Sequence, residues 1–299
     1  MFKSGFVSII GKPNVGKSTF LNSVLKMKLV ITSPKAQTTR NVVTGIYNNP
    51  DAQIIFLDTP GIHDPKNKLD TYMTKMSYNS TLGVDLVIYM INAYDTFNEE
   101  DEKILTSLKQ SSVKTFLVIN KLDLIKDYIR LEKEIARFKE AFSFDGVFAI
   151  SALNGDNVER LINDIVDSLE EGPMYYPSDQ ITDRPEKFIV AELIREKILA
   201  LTHNEVPHSV MVEIEKFKYD QKKELLIISA VIVVERESQK WIIVGHNGQM
   251  IKKIGEESRL EIEAFLGEKV YLELFAKVEE NWRNKEYFLK NFGYKQELE

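Results

Sequence analysis

Residues Phe6–Phe20 read FVSIIGKPNVGKSTF, and the other segments take their meaning from them. Phe6 to Ile10 is a short apolar run that Gly11 ends. GKPNVGKS follows and opens into an apolar-periodic segment with Phe20, Leu21, Val24 and Leu25. That is the pattern of strand, phosphate loop and helix. In GxxxxGKS the glycines let backbone N–H groups face a phosphate, and the positive end of the next helix adds to the attraction. Gly11, Lys12, Pro13, Asn14, Val15, Gly16, Lys17, Ser18 and Thr19 are the expected cradle, with Lys17 on the β and γ oxygens and the Ser18 hydroxyl on Mg²⁺. The bland alternative is a glycine turn with a solvated lysine; the flanking strand and helix argue against it.

The chain has 299 residues, enough for two domains with separate cores. It has no cysteine, which removes disulfides, thiolate metal sites and thiol nucleophiles, and its 4 histidines lack the spacing of a histidine-built metal site. No apolar run approaches the ~20 residues of a membrane span. A soluble, cytoplasmic protein without signal peptide is expected. The net charge of −6 opposes bulk electrostatic binding to nucleic acid or anionic lipid, so any RNA contact has to come from a local basic patch.

After the first helix, LVITSPKAQTTR (29–40) is polar, carries Pro34 and reads as an irregular loop. Val42 to Tyr47 and Gln53 to Leu57 alternate like a hairpin around the turn residues at 48–51. The second run ends in Asp58-Thr59-Pro60-Gly61. A carboxylate at a strand's carboxyl end can hold Mg²⁺ through water, while the Gly61 N–H meets a γ-phosphate. Buried strands are expected over Val84 to Ile91 and Thr115 to Ile119, separated by helices at Glu99 to Lys109 and Tyr128 to Phe142. The second of these strands runs into Asn120-Lys121-Leu122-Asp123. A carboxylate at Asp123 accepts from the N1 and N2 donors of guanine, whereas adenine would leave it buried and facing a lone pair. The Lys121 stem is expected along the base and Asn120 between base loop and phosphate loop. A last strand, Gly146 to Ile150, leads to Ser151-Ala152-Leu153, where a backbone N–H can reach guanine O6. Alternating strands and helices predict a mostly parallel α/β sheet with ligand at the carboxyl ends of its strands, where all these motifs fall.

GKPNVGKS, DTPG, NKLD and SAL in this order resemble the TRAFAC class of GTPases, and KAQTTR together with the second half resembles the bacterial Era GTPase family over nearly the whole chain. The resemblance implies GTP hydrolysis and a Mg²⁺-binding loop threonine, Thr39, with the adjacent Thr38 as the competing assignment. It also implies K⁺ bound with help from Asn14. Lys17, Thr39, Gly61 and Asn14 are thus the expected catalytic group. Ile62 follows Gly61 where many small GTPases carry a water-orienting glutamine, so slow intrinsic turnover is expected.

Glu170 to Pro185 holds three prolines and breaks the periodicity. The expected division is a GTP-binding domain at 1–171, a linker at 172–186, a second domain at 187–277 and a helical tail at 278–299. The second domain reads helix, strand, strand, helix, Gly245-His246-Asn247-Gly248, helix, strand. That αββααβ order around GxxG resembles a type II KH module, in which the loop clamps a single-stranded RNA backbone. Lys252 and Lys253 supply charge. Ile251, Ile254, Ile262 and Phe265 are assigned to the core. His246 is either a contact to RNA or an inert loop residue. Between 187 and 299 there are 18 Lys or Arg against 20 Asp or Glu, so binding is expected to be local. Trp282, Tyr287, Phe288 and Phe292 read as packing residues of the tail. The family resemblance further implies the 3′ end of 16S ribosomal RNA and the small (30S) ribosomal subunit as partners, a monomer, and peripheral contact at the inner membrane. Two other readings stay open: an RNA-binding assembly chaperone with GTP as structural ligand, and a second domain that docks on membrane or protein.

Overall fold

The structure is a computed structural model that describes residues 1–291, 293 and 294. It divides into two compact units. Met1–Val30, Thr39–Lys66 and Asp70–Asp183 form the first, while Ile31–Thr38, Asn67–Leu69 and the chain from Arg184 onward form the second.

In chain order the first unit holds β1 (Lys3–Ile10), α1 (Lys17–Leu25), β2 (Val43–Asn48), β3 (Ala52–Asp58), α2 (Lys68–Asn79, apart from its first residues), β4 (Leu86–Asn92), α3 (Glu99–Ser111), β5 (Lys114–Asn120), α4 (Tyr128–Ala141), β6 (Gly146–Ala149) and α5 (Val158–Ser168). The sheet order is β2-β3-β1-β4-β5-β6. Only the β2–β3 hairpin is antiparallel. β4 is buried along its whole length, as an apolar strand covered by helices on both faces must be. Because β1 lies between β3 and β4, the chain leaves it at the point where strand order reverses, which opens a crevice at the carboxyl edge. The motif-led sequence reading passes over α2 and α5. In α5 the apolar residues Val158, Leu161, Ile162 and Ile165 recur at helical spacing and are buried.

The stretch read as a linker is pinned along the sheet edge over most of its length. Ile46 N–H donates to Ile181 O at 2.7 Å, Thr182 Oγ1 to Thr44 O at 2.6 Å, and Tyr175 N–H to Gln53 Oε1 at 2.7 Å. β2 is an edge strand, and these bonds pair backbone groups that would otherwise stay open.

The second unit contains α6 (Glu186–Leu201), α7 (Val206–Ser209), β7 (Met211–Asp220), β8 (Leu225–Val234), α8 (Glu237–Val244), α9 (Gln249–Leu266), β9 (Val270–Val278) and α10 (Glu286–Asn291). Its sheet runs β7-β8-β9, with the first pair antiparallel and the second parallel. α7 is a single short turn with Pro207 as its second residue and is absent from the sequence reading. Ile194 and Ile198 of α6, Ile228 and Ile232 of β8, and Ile254 and Ile262 of α9 are wholly buried. In the tail, Trp282 is buried with its Nε1–H donated to Ser209 O at 2.9 Å. Tyr287 is exposed rather than packed, and Phe292 lies outside the described residues. Ile31–Thr38, read as part of the 29–40 loop of the first domain, is held by α6: Thr32 N–H donates to Glu196 Oε1 at 3.0 Å, and the buried Arg195 guanidinium donates to Thr38 O.

Candidate nucleotide site and nucleic-acid interface

The phosphate loop sits between the end of β1 and the start of α1. Gly16 takes φ +100°, and a Cβ there would lie 2.2 Å from Asn120 Nδ2, so both backbone conformation and space require glycine. Asn120 fills that space for a reason: its Nδ2 donates to Val15 O at 2.9 Å and its Oδ1 accepts the Ala152 N–H at 2.9 Å. The side chain therefore ties the phosphate loop to Ser151-Ala152-Leu153, and the Ala152 N–H is engaged within the loop. Lys121 Nζ donates to Asn14 O at 2.6 Å and to the Tyr94 hydroxyl at 3.1 Å. Asp123 is held by Ser151 Oγ–H at 2.5 Å and stands exposed at the rim. The burial expected of this carboxylate is thus not a property of the chain alone, since Leu122 and Asp123 lie on a single 3₁₀ turn at the surface.

Lys17 is fully buried, with Nζ on Gly11 O at 3.0 Å and Lys12 O at 2.9 Å. Burial pulls its pKa down to about 8, against the raising effect of Asp58. The Asp58 carboxyl is pushed up to about 6 by burial, opposed by the Lys17 charge and by hydrogen bonds from Ser18, the Thr59 backbone and Thr39. Burial thus outweighs the mutual attraction of the two groups, an environment that suits phosphate oxygens at Lys17 and a cation at Asp58. Ser18 Oγ donates to Asp58 Oδ2 at 2.8 Å and lies 2.8 Å from Thr39 Oγ1. Asp58 Oδ1 is buried without a hydrogen-bond partner among the described residues. A carboxylate and two hydroxyls form an oxygen donor set that suits a hard cation such as Mg²⁺. Thr38 turns the other way, with its hydroxyl on Lys35 O at 2.6 Å.

Gly61 abuts the phosphate loop so closely that a Cβ would come 2.6 Å from Pro13 Cα, and Ile62 N–H donates to Gly11 O at 3.1 Å. Ile62 is buried and presents no polar group to a water. His63 faces two acceptors, Gly61 O at 2.9 Å from Nδ1 and Asp70 Oδ2 at 3.8 Å from Nε2. Asp70 chiefly holds its pKa above the ordinary value, with burial opposing.

In the second unit, α8 ends at Gly245 (φ +72°), where a Cβ would meet Met250 Cβ at 2.6 Å, and α9 starts after Gly248 (φ +76°). His246 and Asn247 are exposed between them. Beside this turn, Ile251, Gly255 and Arg259 of α9 and Leu272 and Leu274 of β9 line an open groove of roughly 280 Å³, with Lys252 and Glu256 at its lip. Ile251 is therefore a groove wall rather than core, and Phe265 is only half-buried; helical period identifies an apolar face without saying whether protein covers it. Lys252 and Lys253 are exposed and sit 3.9 Å from Glu256 and Glu257, so part of their charge is offset. Sequence reasoning missed two features of the nucleotide site. Tyr94 lies under Lys121 with Nζ 5.5 Å from the ring centroid. Asp101, which the sequence reading places only within the helix at Glu99 to Lys109, is wholly buried against Lys12.

Residues 6–121 match the family model described as 50S ribosome-binding GTPase, and residues 205–283 match the KH domain model. The chain is 50% identical over 293 residues to GTPase Era of Lacticaseibacillus paracasei, covering 97% of this chain and 96% of the relative. Among solved structures, a substituted Era of Aquifex aeolicus bound to GDP·AlF₄⁻ is 40% identical with a TM-score of 0.95, over 99% of this chain and 100% of that one. Era in complex with MgGDPNP and nucleotides 1506–1542 of 16S ribosomal RNA is likewise 40% identical, with a TM-score of 0.94 and the same coverage.

Proposed function

The chain belongs to the Era family of GTPases, and from that premise we propose that it couples GTP hydrolysis to holding and releasing the 3′ end of small-subunit ribosomal RNA. One observation carries the proposal: the Asn120-Lys121-Leu122-Asp123 rim and a GxxG groove occur in one chain, which is 40% identical to an Era solved with MgGDPNP and a 16S RNA segment. The groove supports single-stranded RNA over duplex, because Ile251, Leu272 and Leu274 offer apolar surface to unstacked bases while Arg259, Lys252 and Glu256 make its charge mixed and local. The destination of that RNA is the maturing small subunit.

In the nucleotide half, Asp123 selects guanine, while Asn120 and Lys121 keep the base loop and phosphate loop in register. Lys17 exchanges the Gly11 and Lys12 carbonyls for phosphate oxygens. Ser18, Thr39 and Asp58 hold Mg²⁺, which supplies positive charge at the phosphates. With Ile62 unable to orient water, a K⁺ ion near Asn14 is the substitute source of charge. Gly61 and Thr39 respond to the γ-phosphate. Thr39 is joined by one peptide bond to Thr38, which the second unit holds through Arg195. Loss of the γ-phosphate at Thr39 is therefore transmitted along the chain to α6.

The test is RNA affinity measured against nucleotide state. A 16S 3′-end oligonucleotide should bind more tightly with a non-hydrolysable GTP analogue than with GDP, and turnover should be faster in KCl than in NaCl. Equal RNA affinity in both states would reduce the nucleotide to a structural ligand. Equal turnover in both salts would remove the K⁺.

A further inference from the structure

Lys12 belongs to the phosphate loop, yet its ammonium points to α3. Nζ lies 2.9 Å from Asp101 Oδ2, with side-chain exposures of 12% for Lys12 and 0% for Asp101, so this is a buried ion pair rather than a surface one. The carboxylate is fixed on every side. Its Oδ2 also accepts the Asn98 N–H at 3.0 Å, closing a capping box in which Asn98 Oδ1 accepts from Glu100 and Asp101. Its Oδ1 accepts the Tyr89 hydroxyl of β4 at 2.5 Å. Burial and the neighbouring Asp101 charge keep that hydroxyl protonated, well above its ordinary pKa of 10.

The phosphate loop thus has two anchors. Asn120 and Lys121 hold the Asn14–Val15 half from the base side. The Lys12–Asp101 pair holds the Gly11–Pro13 half, which carries the carbonyls that bind Lys17 and the proline that touches Gly61. Because Gly61 is the γ-phosphate sensor, this second half is the γ end of the cradle.

We infer that Asp101, acting through Lys12, is a positioning residue for the γ-phosphate end of the phosphate loop. Lys12 is accordingly a strut and Lys17 the phosphate ligand. The inference rests on the GTPase activity and is independent of the RNA proposal.

The test compares the affinities of GDP and a non-hydrolysable GTP analogue in full-length variants. Lys12→Met and Asp101→Asn should each weaken the analogue about tenfold more than GDP, and the double variant should be no worse than either single one. Lys12→Arg, which keeps a donor within reach of Asp101, should restore most of the loss. Asn98→Ala removes the side-chain cap but leaves the pair, so it should lower Tm without changing the analogue-to-GDP ratio. If Asp101→Asn does not fold, Asp101→Glu, which keeps the charge but displaces the carboxylate from Lys12, should shift the same ratio, and an unchanged ratio overturns the inference. Two other results overturn the inference. Asp101→Asn binds the analogue as tightly as the parent while Lys12→Met does not, which makes Lys12 a direct phosphate ligand. Alternatively, both nucleotides weaken by the same factor, which leaves Asp101 a helix cap only.

Discussion

Around the guanine rim the polar groups hold one another. Ser151 is on Asp123, Asn120 spans Val15 and Ala152, and Lys121 spans Asn14 and Tyr94. Along the groove between α9 and β9 the walls are Ile251, Gly255, Arg259, Leu272 and Leu274, and Lys252 and Arg259 are each partly offset by a glutamate one helical turn away. The first region is built from directional bonds, each of which leaves a partner stranded when removed. The second offers shape, a close backbone approach at Gly248 and diffuse charge. Recognition concentrated in a few bonds should fail sharply on single substitutions, and recognition spread over a surface should fade gradually.

That contrast predicts a descending series. Asp123→Asn should reduce GTP affinity by about 10³. The amide should in turn accept xanthosine triphosphate, whose base offers a carbonyl where guanine has its amine; competition binding reads both. Next, Gly248→Asp introduces a negative charge into the GxxG turn; nothing lies within 4 Å of a new Cβ, and at φ +76° aspartate is one of the few side chains that accept the left-handed backbone, at a local strain that a Tm measurement reads. It should weaken single-stranded RNA by about 30-fold while leaving GTP affinity unchanged. Lys252→Gln should cost only about threefold in RNA affinity at low salt and flatten the salt dependence by about one charge. A loss at Lys252 as large as that at Asp123 would break the contrast.

The smallest effect concerns stability. His63 gains Asp70 and Gly61 O as partners on folding, so its folded pKa lies above the unfolded value of 6.5. Its contribution is complete below that value and is lost as pH rises through the folded pKa. The Tm difference between the parent and His63→Gln should therefore be about 2 °C at pH ~5.5 and shrink as pH rises through the folded pKa.

What could be read beforehand follows the same division. The phosphate loop, Asp58, Gly61 and Asn120 to Asp123 were legible because directional chemistry imposes residue types at set spacings, and the sheet places them at one edge. Ile251 was misassigned because an apolar helical face looks the same whether protein or ligand covers it. Asp101 was overlooked although a signal existed: it stands three residues after Asn98, the spacing of a capping box, and on the helical face of Ile104, Leu105 and Leu108, while Glu99, Glu100 and Glu102 do not. The holding of Ile31–Thr38 by α6 joins residues more than a hundred and fifty positions apart, as between Thr38 and Arg195, which no local pattern encodes.

The most direct test is GTP turnover in the parent and in Gly248→Asp, with and without the 3′-terminal segment of 16S RNA, under saturating nucleotide. The RNA should accelerate phosphate release by the parent and not by the variant, whose basal rate should match. Acceleration of both alike, or of neither, would contradict a hydrolase that answers to RNA held in the GxxG groove.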